Sequence, residues 1–242
     1  MIRSKKFIPN IFTLINMFLG FISIGLIIND EPLKAGVLVL FAGVFDVFDG
    51  KIARILGIES KFGMELDSMA DTVSFCVVPS VLIHSLYVEN MTPLLGLLIS
   101  FMPLMFGTIR LAKYNINHFT KVDKSYTEGL TTPISTICLF SYLFFSQEIY
   151  NNYGDPRIAL MLTSILCMLM ISSIPFPKFP IINFHSGKKN SFLLLLSILS
   201  LVFILLFRGY ILLPITILYI GSSIINWLQR NNKRALQTNS KS

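Results

Sequence analysis

Charged residues are scarce in this sequence. Asp, Glu, Lys and Arg make up 14% of the 242 residues, and hydrophobic residues make up 53%. A soluble globular domain carries roughly 25% charged residues, so the composition excludes an ordinary soluble domain. The segments between the charged clusters are apolar and have about the length that a helix needs to cross a bilayer. Because they are continuously apolar and do not alternate, they favour helices over a barrel.

Cysteine is also rare, and so are the sequence marks of processing or repetition. The three cysteines, Cys76, Cys138 and Cys167, show no paired spacing, which argues against a disulfide framework or a thiolate metal site and predicts free thiols in the core. We expect no cleavable signal peptide, because the first apolar run is too long and no convincing cleavage site follows it. With no internal repeat and no long linker, residues 1–242 are predicted to form a single membrane domain.

The fold class that these features predict is an all-α integral membrane protein with about eight transmembrane helices. Six of them would form a core over about residues 8–180, and two more would follow at about 191–228. The predicted helices cover residues 8–29, 34–56, 64–89, 92–116, 131–149, 157–175, 191–207 and 210–228.

The basic residues predict the orientation of these helices. If the spans alternate, 17 of the 20 Lys and Arg residues fall on one side, and the exceptions are Lys34, Arg157 and Arg208. The positive-inside rule makes that side cytoplasmic, together with both termini. The net charge of +7 lies in short loops beside the spans. It therefore fits orientation and contact with the anionic lipid of a bilayer, and we expect no nucleic-acid partner.

Four aspartates interrupt the apolar segments. Asp46 and Asp49 are three residues apart in the second predicted span, and Asp67 and Asp71 are four apart in the third. Both spacings place two side chains on one face of a helix. Carboxylates near a bilayer are costly unless they face a cavity, a partner or a metal, and four together repel one another. Oxygen ligands suit Mg²⁺, Mn²⁺ or Ca²⁺, so we predict that the four aspartates hold one or two divalent ions.

Small and basic residues beside these pairs predict a diphosphate site. Gly50 and Ala53 remove side-chain bulk, so that a large anion can approach the backbone, and Arg54 offers a fork of donors for a phosphate oxygen. Gly63 is expected to let the chain turn into the third span. Metal ligands, a fixed cation and small residues together describe a site for an activated phosphate compound.

The complete pattern is Asp-x2-Asp-Gly-x2-Ala-Arg-x8-Gly-x3-Asp-x3-Asp over residues 46–71. At every fixed position it resembles the signature of the CDP-alcohol phosphatidyltransferases, membrane enzymes that transfer a phosphatidyl-type group from a CDP-linked lipid to an alcohol and release CMP. The resemblance implies four metal-binding aspartates, with Asp71 also acting as the general base, two ions of Mg²⁺ or Mn²⁺, and a homodimer. It also implies contacts to the CDP-lipid from Gly50, Ala53, Arg54 and Gly63.

Further segments resemble the subgroup of this family that uses L-serine as the acceptor and CDP-diacylglycerol as the donor. These segments are residues 9–16, 60–75, 107–115 and 174–179. One departure is Thr131, which stands where the subgroup usually has proline. The resemblance implies phosphatidylserine as the product, and we expect the bacterial cytoplasmic membrane as the location. The positive-inside rule predicts that the aspartates lie on its cytoplasmic side.

Two polar sets in these segments are candidate substrate contacts. Asn10, Thr13 and Asn16 are polar residues at helical spacing in the first span, so they are predicted to face a cavity or a neighbouring helix and to contact the nucleotide of the CDP-lipid. Arg110 and Lys113 close the fourth span and are candidates for binding the serine carboxylate. Arg110 suits that role better, because its donors can form two parallel hydrogen bonds.

Other functions remain open at this point. The same chemistry could use glycerol 3-phosphate, inositol phosphate or choline as the acceptor, or serine on an archaeal-type lipid. A divalent-cation transporter would place carboxylates near the middle of several spans, whereas these pairs lie at one edge. A non-catalytic scaffold would leave the aspartates unexplained.

Overall fold

Apolar stretches form most of the helices of this protein. The computed structural model describes residues 8–57, 60–89, 91–119, 126–177 and 211–239. We number the helices of these residues in chain order. They are α1 Ile8–Ile28, α2 Pro32–Leu56, α3 Lys61–Thr72, α4 Val78–Leu86, α5 Pro93–Phe119, α6 Thr132–Tyr150, α7 Pro156–Ile171 and α8 Leu212–Asn239.

The predicted all-helical fold is confirmed, and the first five predicted helices match within a few residues. The third prediction covers α3, α4 and the turn between them. The sixth was wrong at its end, because α7 stops at Ile171 and the proline-containing segment 175–177 is extended. The last was also too short: α8 runs on to Asn239, since the polar residues beyond 228 include good helix formers. The predicted helix 191–207 lies outside the described residues.

Four described stretches are long and apolar enough to cross a membrane: Pro9–Ile28, Lys61–Leu86, Pro93–Ile116 and Leu212–Gln229. The chain is thus an integral membrane protein by length and composition of its helices. Of the other helices, α2 combines an apolar stretch with Asp46 and Asp49, and α7 is shorter, with 16 residues. The count of about eight spans stays a prediction.

Two short strands, which the sequence did not predict, connect the ends of helices. Tyr126–Glu128 (β1) pairs antiparallel with Pro175–Pro177 (β2), so that Thr127 lies opposite Phe176. Phe176 is fully buried against the ring of Tyr219, whose hydroxyl donates to the Pro177 carbonyl at 3.1 Å. The strands therefore tie the segment before α6 to the end of α7 and to α8.

The helices bury two apolar clusters. One lies between α1, α2, α4 and α6 and includes Ile27, Val39 and Phe140, and the other joins α6, α7 and α8. The three cysteines are buried and free, as predicted. These clusters hold α1, α2 and the α3–α4 segment side by side, which positions the aspartates.

A π-helical turn at Val73–Val77 joins α3 to α4 without a break. Two neighbouring helices hold it. Ser74 Oγ donates to the Asn16 carbonyl of α1 at 2.9 Å, and Thr136 Oγ1 of α6 donates to the Phe75 carbonyl at 2.8 Å. The turn begins two residues after Asp71, so both contacts fix the direction of the helix that carries this aspartate. Such turns are frequent at functional sites.

Candidate active site

Three carboxylates from α2 and α3 converge at one site. Asp46 and Asp49 of α2 and Asp67 of α3 each offer a carboxylate oxygen, and these oxygens lie within 4.8 Å of one another. We call this group the three-carboxylate cluster. Asp49 lies seven residues before the end of α2 and Asp67 six residues after the start of α3. The cluster therefore lies about 10 Å along each helix from the α2–α3 connection.

Asp71 lies one helical turn beyond Asp67, against the cluster. Its side chain is 8% exposed and lies within hydrogen-bonding reach of the Asp46 carboxylate. Arg110 of α5, also 8% exposed, interacts electrostatically with both of these aspartates. The structure thus brings all four predicted aspartates together and adds Arg110 as a cation facing Asp46 and Asp71.

The site fits a divalent cation. Within the described part of the chain, neither Asp67 Oδ1 nor Asp71 Oδ1 has a hydrogen-bond partner, although both atoms are buried. A buried carboxylate oxygen without a partner is costly. Several such groups packed together repel one another, and one guanidinium cannot balance four negative charges. Hard cations prefer oxygen ligands of this kind.

A threonine of α1 also reaches the cluster. Thr13 Oγ1 donates to Asp49 Oδ2 at 2.8 Å. Thr13 Oγ1 also lies 3.2 Å from the carbonyl oxygen of Pro9. Both side chains are buried, with Thr13 3% and Asp49 4% exposed. The sequence predicted Thr13 as a nucleotide contact, and its bond to Asp49 was not foreseen. The position of a threonine in an apolar segment does not show which side chain on another helix it contacts.

The other polar residues of α1 lie in different surroundings. Asn10 is half-buried near Gly63, where a Cβ atom on the glycine would lie 3.4 Å from Asn10 Oδ1. Asn16 is fully buried, and its side-chain amide has no partner among the residues that the structure describes. Direct contact of these two residues with the CDP-lipid stays a prediction.

The expectation that Gly63 turns the chain is wrong. Gly57 makes that turn with a φ of +61°, a conformation that favours glycine. Gly63 lies in the first turn of α3, where its N–H donates to Ser60 Oγ at 3.0 Å and so completes the helix cap. Without a side chain, Gly63 also leaves room for Asn10.

The remaining predicted residues lie around the cluster. Gly50 and Ala53 are half-buried in the last two turns of α2. Arg54 belongs to the same helix, but its side chain lies outside what the structure describes. Lys113 is exposed, one turn beyond Arg110. The predicted roles of these residues in substrate binding stay predictions.

A contact between α3 and α5 adds to the site. Asn115 Nδ2 donates to Ser68 Oγ at 2.9 Å, and Ser68 directly follows Asp67. Both residues lie in segments that resemble the serine subgroup, but their positions in the sequence do not show that they meet. The contact holds the end of α5 against the helix that carries two of the aspartates.

Comparison with known protein families identifies the family of this chain. Residues 6–219 match the family model described as CDP-alcohol phosphatidyltransferase. The chain belongs to this family. The matched region contains all four aspartates and Arg110, so the cluster lies within the part that defines a CDP-alcohol phosphatidyltransferase, and the chain is a transferase.

Individual relatives carry more detailed names. A protein of Helicobacter pylori named CDP-diacylglycerol–serine O-phosphatidyltransferase is 32% identical over 222 residues, which cover 91% of this chain and 90% of that protein. A Bacillus subtilis protein of the same name is 34% identical over 189 residues, 76% of this chain and 99% of the relative. An archaetidylserine synthase of Methanothermobacter thermautotrophicus is 31% identical over 173 residues, 71% of this chain and 70% of the relative.

Proposed function

We propose that this CDP-alcohol phosphatidyltransferase transfers a phosphatidyl group from CDP-diacylglycerol to the hydroxyl of L-serine, giving phosphatidylserine and CMP. The observation that carries the proposal is the three-carboxylate cluster with Asp71 beside it, in a chain that aligns over nine-tenths of its length with a relative named for this reaction. Serine is the acceptor in the names of all three relatives described above.

Asp46, Asp49 and Asp67 would hold the divalent cation, and Asp71 would complete the set of ligands. Mg²⁺ or Mn²⁺ suits these oxygen donors best, with Ca²⁺ as a further candidate, and four carboxylates have the charge to hold two ions. When bound, the cations would neutralise charge on the diphosphate and on the departing CMP. The single positive charge of Arg110 does not by itself balance four carboxylates.

Asp71 is the proposed general base. A serine hydroxyl is a weak nucleophile at neutral pH, and a carboxylate within hydrogen-bond reach can take its proton as the oxygen attacks phosphorus. The new serine oxygen–phosphorus bond replaces the phosphorus–oxygen bond to CMP, and the proton passes to the Asp71 carboxylate. Burial of Asp71 among helices limits water at this position, which protects the donor from hydrolysis.

The two substrates would use different residues around the cluster. Gly50, Ala53, Arg54 and Gly63 are the proposed contacts to the CDP-lipid, together with Asn10 of α1. For the acceptor, we propose that Arg110 binds the serine carboxylate, because its Nε has no partner among the described residues and it faces Asp71. Lys113, exposed one turn away, would add positive charge at the rim.

The enzyme is proposed to lie in the bacterial cytoplasmic membrane as a homodimer, with the site on the cytoplasmic side. Bacterial relatives and the distribution of basic residues support this location. The cluster lies about 10 Å along α2 and α3 from their connection, and the basic residues of that connection predict that it is cytoplasmic. A water-soluble acceptor can reach such a depth, whereas the diacyl chains of the donor remain in the bilayer.

Release of CMP by the purified protein tests the proposal. With CDP-diacylglycerol, L-serine and Mn²⁺ or Mg²⁺, we expect CMP and phosphatidylserine in equal amounts, and no reaction after EDTA treatment until metal is restored. Glycerol 3-phosphate, inositol phosphate and choline serve as alternative acceptors, and a CDP-activated archaeal-type lipid as the alternative donor. Release with another alcohol but not with serine would reject the acceptor and keep the transferase class. No release with any acceptor would reject the proposal.

A further inference from the structure

Helix α1 has no acidic residue between Ile8 and Ile28, yet it contacts the three-carboxylate cluster through Thr13. We propose that Thr13 is a positioning residue for Asp49 and that its hydroxyl sets how tightly the site holds a divalent cation. This inference rests on the proposed function, in which Asp49 is a metal ligand. It gives Thr13 a different role from direct contact with the nucleotide.

The geometry of the pair carries the inference. The Thr13 hydroxyl donates to Asp49 Oδ2 at 2.8 Å, and neither side chain is more than 4% exposed. A hydrogen bond to an ionised acceptor is about twice as strong as one between neutral groups. It restricts rotation of the carboxylate, and the remaining lone pairs of the two oxygens can still bind a cation. Asp49 is thus held in place without losing its capacity to bind a cation.

The competing partner of the hydroxyl is weaker. Threonine in a helix often donates to the carbonyl four residues earlier, here Pro9, at 3.2 Å. A hydroxyl has one proton, and the Asp49 oxygen is both nearer and a carboxylate. The Thr13 hydroxyl therefore donates its proton to Asp49 in preference to the Pro9 carbonyl. Partners that orient metal-binding carboxylates typically contribute about 10–100-fold to metal affinity or activity.

Three variants separate this role from a general packing effect. Thr13→Val removes the hydroxyl and keeps the shape of the side chain, and Thr13→Ser keeps the hydroxyl and removes the methyl group. Thr163→Val is the matched control, because Thr163 is fully buried on α7 and donates to the Ala159 carbonyl four residues earlier, at 2.7 Å. The first readout is Mn²⁺ binding to the purified protein without substrates. It is measured from the electron paramagnetic resonance signal of the free Mn²⁺.

We expect Thr13→Val to weaken Mn²⁺ binding by about 10–100-fold. Thr13→Ser and Thr163→Val should bind it like the wild type. The Mn²⁺ concentration for half-maximal CMP release should rise in parallel, with little change in KM for serine. The apparent unfolding temperature of Thr13→Val in detergent should match that of Thr163→Val, which shows that the loss is local.

Wild-type Mn²⁺ binding by Thr13→Val would overturn the inference while the proposed function stands. If the KM for CDP-diacylglycerol also rises in that variant, Thr13 is a donor contact instead. Failure of the wild-type protein itself to bind Mn²⁺ would instead reject the metal site of the proposed function.

Discussion

Asp71 of α3 and Arg110 of α5 interact electrostatically, and both are almost completely buried. A carboxylate beside a guanidinium could be a purely structural pair. At this site, however, Asp71 also touches the Asp46 carboxylate and keeps one oxygen without a partner among the described residues. The pair thus has an unused acceptor on one residue and an unused donor on the other, which suits a substrate with both a hydroxyl and a carboxylate.

Replacing Asp71 with asparagine tests the general base. Asn keeps the size of the side chain but cannot take a proton, so we expect turnover to fall by about 10²–10⁴-fold. Binding of CDP-diacylglycerol should be largely retained, and both are measured on the purified protein. Glu65→Gln is the control, because Glu65 is an exposed acidic residue on the same helix. Wild-type turnover by Asp71→Asn would exclude this role.

Replacing Arg110 with lysine tests the acceptor contact. Lys keeps the positive charge beside Asp71 but loses the fork that binds a carboxylate with two hydrogen bonds. We expect the KM for serine to rise about tenfold, which corresponds to about 1.4 kcal/mol, with a smaller change for CDP-diacylglycerol. Arg157→Lys, at an exposed position on α7, should change neither. If both constants of Arg110→Lys equal those of the wild type, Arg110 does not hold the carboxylate.

For individual residues, the sequence predicts which side chains belong to the site better than it predicts the contacts between them. The spacing of the four aspartates is enough to place them on two helical faces, and the structure brings those faces together. The bonds of Thr13 to Asp49 and of Asn115 to Ser68 join residues that are 36 and 47 positions apart. Such contacts depend on how the helices pack, and no local pattern encodes them.

Among the elements, the π-helical turn at Val73–Val77 links the site to the packing of the bundle. Ser74 bonds to α1 and Phe75 to α6, so the turn is held from two sides. On the α1 side the backbones approach closely at Gly20. A Cβ atom there would lie 2.8 Å from Ser74 Cα, nearer than real Cβ atoms come to such an atom.

Replacing Gly20 with alanine should therefore force α1 away from the turn. We expect a loss of about 1–3 kcal/mol of stability, as for other overpacked positions, together with reduced CMP release because Asp71 lies two residues before the turn. The measurements are thermal unfolding in detergent and turnover. Gly25→Ala on the same helix is the control, since nothing lies within 4 Å of its Cβ position and alanine favours a helix. Equal stability of the two variants would show that the approach at Gly20 is not tight.

Element boundaries show why part of the fold was predictable. Apolar runs of spanning length identify α1, α2, α5 and α6 directly. The π-helical turn was missed because it lies inside a continuous apolar run and has no period of its own. The strands were missed because each has three residues, and β2 begins and ends with proline. The end of α8 was missed because the apolar run ends near residue 228, whereas the polar residues that follow still favour a helix.

For the whole molecule, the main open question is which way it crosses the membrane. The distribution of Lys and Arg predicts that the α5–α6 connection is cytoplasmic and that the α6–α7 connection is on the opposite side. The three natural cysteines are buried, so a thiol reagent should react slowly with the unmodified protein. Single added cysteines can therefore report which side each connection occupies.

Tyr126→Cys and Tyr150→Cys provide this test, because these side chains are 37% and 64% exposed beside the two connections. A membrane-impermeant maleimide added to intact cells should label Tyr150→Cys and leave Tyr126→Cys unlabelled. Inside-out vesicles should reverse the pattern, and retained CMP release shows that each variant is folded. Labelling of Tyr126→Cys in intact cells would contradict the predicted orientation and the cytoplasmic location of the site.

The π-helical turn has one further consequence, which concerns rotation about the helix axis. Each residue of an α-helix advances by about 100°, and a π turn accommodates one extra residue. With this turn, Asp67 and Asp71 face Asp46 of α2, while Leu82 and Ile83 beyond the turn face the apolar interior. An unbroken α-helix of the same number of residues would not point both sets of side chains in these directions. A regular α-helix of the same number of residues would rotate one half against the other by about 100°, so this span could then keep its acidic face or its packing face, but not both.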